Sequence, residues 1–175
     1  MTAAVQPQAG RVGPAAIYPK ESANPGLANP DITQDNIAKT ICNKKWSTDS
    51  IRPPSSYTTS LKVKQIDEYG FTDKKKGDYE EDHIISLENG GDPRDPKNLY
   101  PEAYNTRIDG KRVGAREKDK VENYVHNGIC LNVPKAKFSS GPKPQHALTL
   151  KQGQDILAKD WYACYLHMKK VEDCK

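Results

Sequence analysis

The sequence predicts an α+β domain in which a short antiparallel hairpin is set among several helices. Three observations carry that prediction. Apolar residues recur at helical spacing over 58–69, 115–127 and 150–168. Residues 79–87 and 98–101 read instead as extended runs, and the turn formers Asn89-Gly-Gly-Asp-Pro-Arg-Asp-Pro lie between them. The length, 175 residues, is that of one domain.

Composition narrows the class further. With 27 basic and 23 acidic residues the formal charge is +4, an excess too mild to identify a nucleic-acid partner by itself. Hydrophobic residues make up 35% and mean hydropathy is −0.87, which calls for a compact core and a good deal of irregular chain. No stretch approaches the ~20 apolar residues that cross a bilayer, which argues against a membrane partner. No period runs through the chain, which excludes collagen, coiled coils and repeat arrays.

Each element has a local reason. Residues 1–30 hold Pro7, Pro14, Pro19, Pro25 and Pro30 and show no periodicity, so they form an extended arm ahead of a single domain over 31–175. Thr33 caps a short helix that places Ile37 and Ile41 one turn apart. Arg52-Pro-Pro-Ser-Ser is a stop, after which Thr58 or Thr59 opens a helix through about Tyr69, closed by Gly70. Its inward residues are Tyr57, Leu61 and Ile66. A charged loop over 71–78 leads into the extended run Tyr79–Leu87, and Asn98-Leu-Tyr-Pro is the return strand. A polar stretch follows to Gly114. Ala115–Asn127 suits a helix with Val121, Tyr124 and Val125 inward and Gly128 at its end. The proline-containing stretch 132–147 is a surface loop. Thr149 and Gln152 form a capping box for a last helix that carries Leu157, Trp161, Cys164 and Met168 on one stripe.

The four cysteines are Cys42, Cys130, Cys164 and Cys174. Without a Cys-x-x-Cys they argue against a zinc knuckle or a redox motif. An even number allows two disulfides in three pairings; alternatively Cys42, Cys130 and Cys164 are small buried hydrophobes. Cys174 would be exposed as a free thiol, which favours a bridge that pins the tail and a secreted or extracellular setting. The first residues lack the basic and apolar regions of a signal peptide, as in a cytosolic chain or a mature form with an added Met.

The residues with chemistry lie mid-chain. His83 offers an imidazole that is neutral near pH 7 and can take a proton from water. Asp82 offers a hard oxygen ligand. Glu122 and His126 are four residues apart, which puts them on one face of a helix. With Asp82 they could complete a mixed oxygen and nitrogen shell for Mg²⁺, Mn²⁺ or another first-row ion. Glu122 also follows Lys118 by four, the spacing of an ordinary ion pair on a solvated helix. Strand alternation sends Asp82 and His83 to opposite sides, so the shared site requires a strand end there or a phosphate between the two side chains.

The ordered set Glu81-Asp82-His83-Ile84-Ile85-Ser86-Leu87-Glu88-Asn89-Gly90-Gly91, then Asn98-Leu99-Tyr100-Pro101-Glu102, then Lys118-Asp119-Lys120-Val121-Glu122-Asn123-Tyr124-Val125-His126 before Cys130, resembles the HNH endonuclease family. The resemblance spans roughly residues 50–130. It implies a ββα-metal core over about 79–130 and hydrolysis of DNA, with RNA as a further substrate, to 5′-phosphate and 3′-hydroxyl ends around one divalent ion. It implies His83 as general base, Asp82, Glu122 and His126 as metal ligands, and Asn98 as the residue that holds the His83 loop. The family's usual third residue lies closer to its middle Asn, so Asn105 or Asn123 are alternatives to Glu122. Arg94, Lys111, Arg112, Arg116 and Lys118 are the candidate phosphate contacts, with no module for reading sequence. A monomer is the simplest state. Two rival classes stand beside this one: a nucleic-acid-binding module without turnover, and a metal-independent glycan hydrolase using Glu80, Glu81 or Glu102.

Overall fold

The structure, a computed structural model, describes residues 17–174. Three helices and two two-stranded antiparallel sheets are present among them, an α+β arrangement. The helices are α1 (Ser55–Glu68), α2 (Ala115–Ile129) and α3 (Leu150–Lys169). The first sheet pairs β1 (Tyr79–His83) with β2 (Leu99–Ala103), and the second pairs β3 (Arg107–Ile108) with β4 (Lys111–Arg112). No helix among the described residues is long and apolar enough to cross a membrane.

The main core lies between α2, α3 and the chain ahead of α1. Ile17, Ile37, Ile41, Val121, Val125, Leu157 and Trp161 are all buried there. The apolar spacing of α2 and α3 puts the last four of these side chains on their facing sides. The described part of the proline-rich start is anchored on the body at several points, with exposed residues between them. Ile17 is 1% exposed, Trp161 Nε1 donates to the Ile17 carbonyl at 3.3 Å, and Ala28 forms a β-bridge with Gly91. Residues 1–16 of the expected arm lie outside the described residues.

Two disulfides fix this body. Cys42–Cys130 ties the segment after Ile41 to the end of α2, and Cys164–Cys174 ties the tail back onto α3. Asp173 further holds the tail: it accepts from Tyr124 Oη (2.9 Å) and from the backbone N–H groups of Gln145 (2.8 Å) and His146 (3.0 Å).

Element boundaries differ from the sequence expectation for local reasons. α1 opens at Ser55, directly after Pro54, because a proline just ahead of a helix costs it no internal hydrogen bond. β1 stops at His83 rather than running to Leu87. There the chain turns inward, burying Ile84 and Ile85, and a 3₁₀ turn takes over at Leu87–Asn89. α2 passes Gly128 and ends at Ile129, next to the disulfide at Cys130. The polar stretch before Gly114 contains the β3–β4 hairpin, whose turn residues Asp109 and Gly110 both have positive φ (49° and 74°). Asp-Gly is a strong short-range hairpin signal, but the flanking Arg-Ile and Lys-Arg pairs lack the apolar alternation that normally accompanies it.

Candidate active site at the end of strand β1

Residues opposite one another in β1 and β2 share a face. The register pairs Glu80 with Glu102 and Asp82 with Tyr100, and pairs Tyr79 with Ala103 and His83 with Leu99. The two sides of β1 therefore carry different chemistry. Asp82 meets Lys118 of α2, whereas Glu81 and His83 line a cleft against α1, whose lining Glu80 also joins.

On the α1 side lies an open cleft of about 290 Å³. Arg52, Ser55, Thr59, Lys62, Glu81 and His83 are among its lining residues. His83, the last residue of β1, is 6% exposed. Its Nε2 lies 3.0 Å from the Pro93 carbonyl, which can only accept, so Nε2 carries the proton and Nδ1 the lone pair. Burial holds the imidazole below its ordinary range, and it is neutral at pH 7. Beside it, burial, reinforced by the Asp82 carboxylate, pushes Glu81 up to about 8, and neither of its oxygens has a hydrogen-bond partner.

The loop from Ile84 to Asn98 is built around one side chain. Asn98 is fully buried and uses its whole hydrogen-bonding capacity. Its Nδ2 donates to the carbonyls of Ile85 (3.0 Å) and Asp92 (2.8 Å), and its Oδ1 accepts from the N–H groups of Ile85 (3.0 Å) and Leu27 (3.1 Å). Gly91 closes the loop: a Cβ there would sit 1.7 Å from the Ile85 carbonyl oxygen. The requirement for glycine at this point is therefore internal packing. Asn89 links the loop to α2 through the Glu122 carbonyl (3.1 Å), and Gln154 of α3 donates to the Asn89 carbonyl (3.2 Å).

On the α2 side the arrangement departs from the expected shell of Asp82, Glu122 and His126. Asp82 and Glu122 do converge, but on the ammonium of Lys118. Its Nζ donates to Asp82 Oδ2 at 2.6 Å, to Glu122 Oε1, and to the His83 carbonyl at 2.9 Å. Burial alone would lower the basicity of this amine, but the carboxylates of Asp82, Glu122 and Glu102 outweigh it and hold the group above its ordinary value. Lys118 is 1% exposed, so the expectation that it meets nucleic-acid phosphates is corrected: it is an interior cation.

His126 does not join Asp82 and Glu122. Its Nδ1 faces the Glu88 carbonyl (2.8 Å) and its Nε2 the Lys137 carbonyl (3.3 Å). Both ring nitrogens thus point at backbone carbonyls and away from Asp82 and Glu122. No group of three or more His, Cys, Asp or Glu side chains suited to a metal ion occurs among the described residues. The side chains as placed do not fit a divalent ion at this point. Of the alternatives, Asn105 is exposed, and Asn123 Nδ2 donates to Ser140 Oγ (3.2 Å).

The remaining candidates divide by position. Arg94 is exposed and follows Pro93, whose carbonyl holds His83. Arg116 lies over the Tyr104 ring at 5.2 Å, and Tyr104 lines the cleft. Lys111 and Arg112 are exposed on β4. Glu102, a candidate acid for glycan hydrolysis, is 3% exposed and faces Asp82 across the hairpin rather than a groove. Sequence reasoning missed Arg52 and Lys62, which enter the cleft from α1 and the turn before it. Neither carries a local motif, and only the tertiary packing of α1 on β1 assigns them there. Comparison with known protein families, with curated proteins and with solved structures yields no match for this chain.

Proposed function

We propose that the chain is an endonuclease that hydrolyses phosphodiester bonds, chiefly of DNA and with little sequence preference, using His83 as general base. The observation that carries the reading is the placement of His83: a neutral imidazole fixed through Nε2, with its lone pair on Nδ1, at the edge of a cleft that also holds Arg52 and Lys62. In this reading Nδ1 takes a proton from water and the resulting hydroxide attacks phosphorus. The P–O3′ bond breaks, leaving a 5′-phosphate, and the 3′-oxygen takes up a proton. Arg52 and Lys62, with Arg94 and Arg116 at the margin, offset the phosphate charge without contacting bases. Asn98 is a positioning residue, since it shapes the loop without reaching the cleft.

The test is the nicking of supercoiled plasmid by the full chain. His83→Ala should lower the rate by about 10²–10⁴-fold, the usual worth of a general base. Equal rates for the variant and the wild type would remove His83 from the mechanism.

One observation favours a second reading. Lys118 neutralises the two carboxylates that resemble metal ligands, as would suit a nucleic-acid-binding module without turnover. Such a module would retain DNA with a steep dependence on salt and leave the plasmid intact.

A further inference from the structure

We propose that the ammonium of Lys118 is the resident cation of this centre, standing where the sequence pattern calls for a divalent ion, and that no metal binds between Asp82 and Glu122 during turnover. The proposal deepens the hydrolase reading and rests on it only for the activity arm of its test.

Three features carry it. First, an ammonium has three hydrogens, and Lys118 has three acceptors on three different parts of the site: the Asp82 carboxylate (2.6 Å), the Glu122 carboxylate and the His83 carbonyl (2.9 Å). The group is saturated, and its side chain is sealed from solvent at 1% exposure. A divalent ion at the same place would have to expel a buried cation or lie against it, and like charges that close repel strongly where water is scarce. Second, Lys118 and Glu122 are four residues apart, so the helix itself brings the ammonium and one carboxylate together before β1 adds the other. Third, the remaining candidate ligand, His126, directs both ring nitrogens at backbone carbonyls.

The consequence for chemistry is specific. By bonding the His83 carbonyl, Lys118 fixes the backbone at the strand end that carries the base, so it is a positioning residue. With all its hydrogens used, it has none to offer a phosphate. Stabilising the departing oxygen then falls to groups on the cleft side, Arg52 and Lys62.

The probe is Mn²⁺, followed by electron paramagnetic resonance on the full, disulfide-intact chain. Wild type should leave the free Mn²⁺ signal undiminished. Lys118→Met, similar in volume but uncharged, should take up one Mn²⁺ per chain, and the added change Asp82→Asn should abolish that uptake. One Mn²⁺ bound by wild type and lost in Asp82→Asn would overturn the proposal, and this pair decides it even if Lys118→Met does not fold. In the activity arm, wild-type nicking should stay within about twofold when EDTA replaces Mg²⁺. Nicking abolished by EDTA and restored by Mg²⁺ would also overturn it. No nicking under either condition counts against the hydrolase reading instead, and the Mn²⁺ titration still settles the resident cation.

Discussion

Glu81 carries an acid where burial opposes its charge, and the effect on stability has a definite sign. Its carboxyl is raised from 4.5 to about 8 in the folded chain, so the native state holds this proton more tightly than the unfolded state does. That contribution is fully present below about pH 4.5 and is lost as pH rises through about 8. Glu81→Gln removes the ionisation and keeps the shape. In urea melts it should match wild type near the acid end of the window and be more stable than wild type at pH 9. An equal difference at both ends would mean that the Glu81 environment is not the cause. Asp82 and His83 show what a pair of adjacent residues conveys in sequence. Strand alternation sent the two side chains to opposite sides and left a strand end or a bridging phosphate as the ways to a shared site; the extended run was expected to reach Leu87, and β1 ends at His83. The partner of Asp82 was less legible. Lys118 could be read as a surface lysine because four-residue spacing to Glu122 is common on solvated helices, and only burial by the β1–β2 hairpin distinguishes an interior ammonium from an exposed one.

At the scale of elements, the loop between β1 and β2 is organised by the hydrogen bonds of one side chain and by close packing at one glycine. Asn98 supplies four hydrogen bonds at its centre, and Gly91 leaves no room for a side chain. Gly91→Ala should therefore cost about 3 kcal/mol or more in stability, at the upper end of overpacking effects. Gly77→Ala, where a Cβ would meet nothing within 4 Å, should stay within about 0.5 kcal/mol. Matched chemical denaturation of the two variants checks this, and similar losses in both would contradict the packing account. The elements legible in advance were those with their own local signals. Thr149 does accept from the Gln152 N–H at 3.1 Å, and the Leu157–Trp161–Cys164 stripe is buried. The kink at Asp160 inside α3 (φ −156°, ψ 69°) has no such signal. Its aspartate accepts from Tyr18 Oη, a partner 142 residues away in the chain, and no window of sequence reading spans that distance.

At the scale of the whole molecule, the two disulfides should differ in worth. Cys42–Cys130 closes 88 residues and Cys164–Cys174 closes 10. By loop entropy the longer link contributes about 4–5 kcal/mol and the shorter about 3 kcal/mol. Replacing Cys42 and Cys130 together by Ser should lower the denaturation midpoint more than replacing Cys164 and Cys174. The reverse order would show that the tail is held by the bridge more than by Asp173. That four cysteines form two links was among the possibilities that their number allowed; which pairs join was open, because pairing depends on where α2 meets the segment after Ile41.

The early segment that reaches Asn98 through the Leu27 N–H, and α3, which reaches the same loop through Gln154, lie at opposite ends of the described chain. The loop that shapes the His83 cleft takes contacts both from the segment ahead of α1 and from the last helix. The wall of the cleft is complete only when both of these distant contacts are made, so the shape around His83 depends on the folding of the whole described domain and not on the β1–β2 hairpin alone.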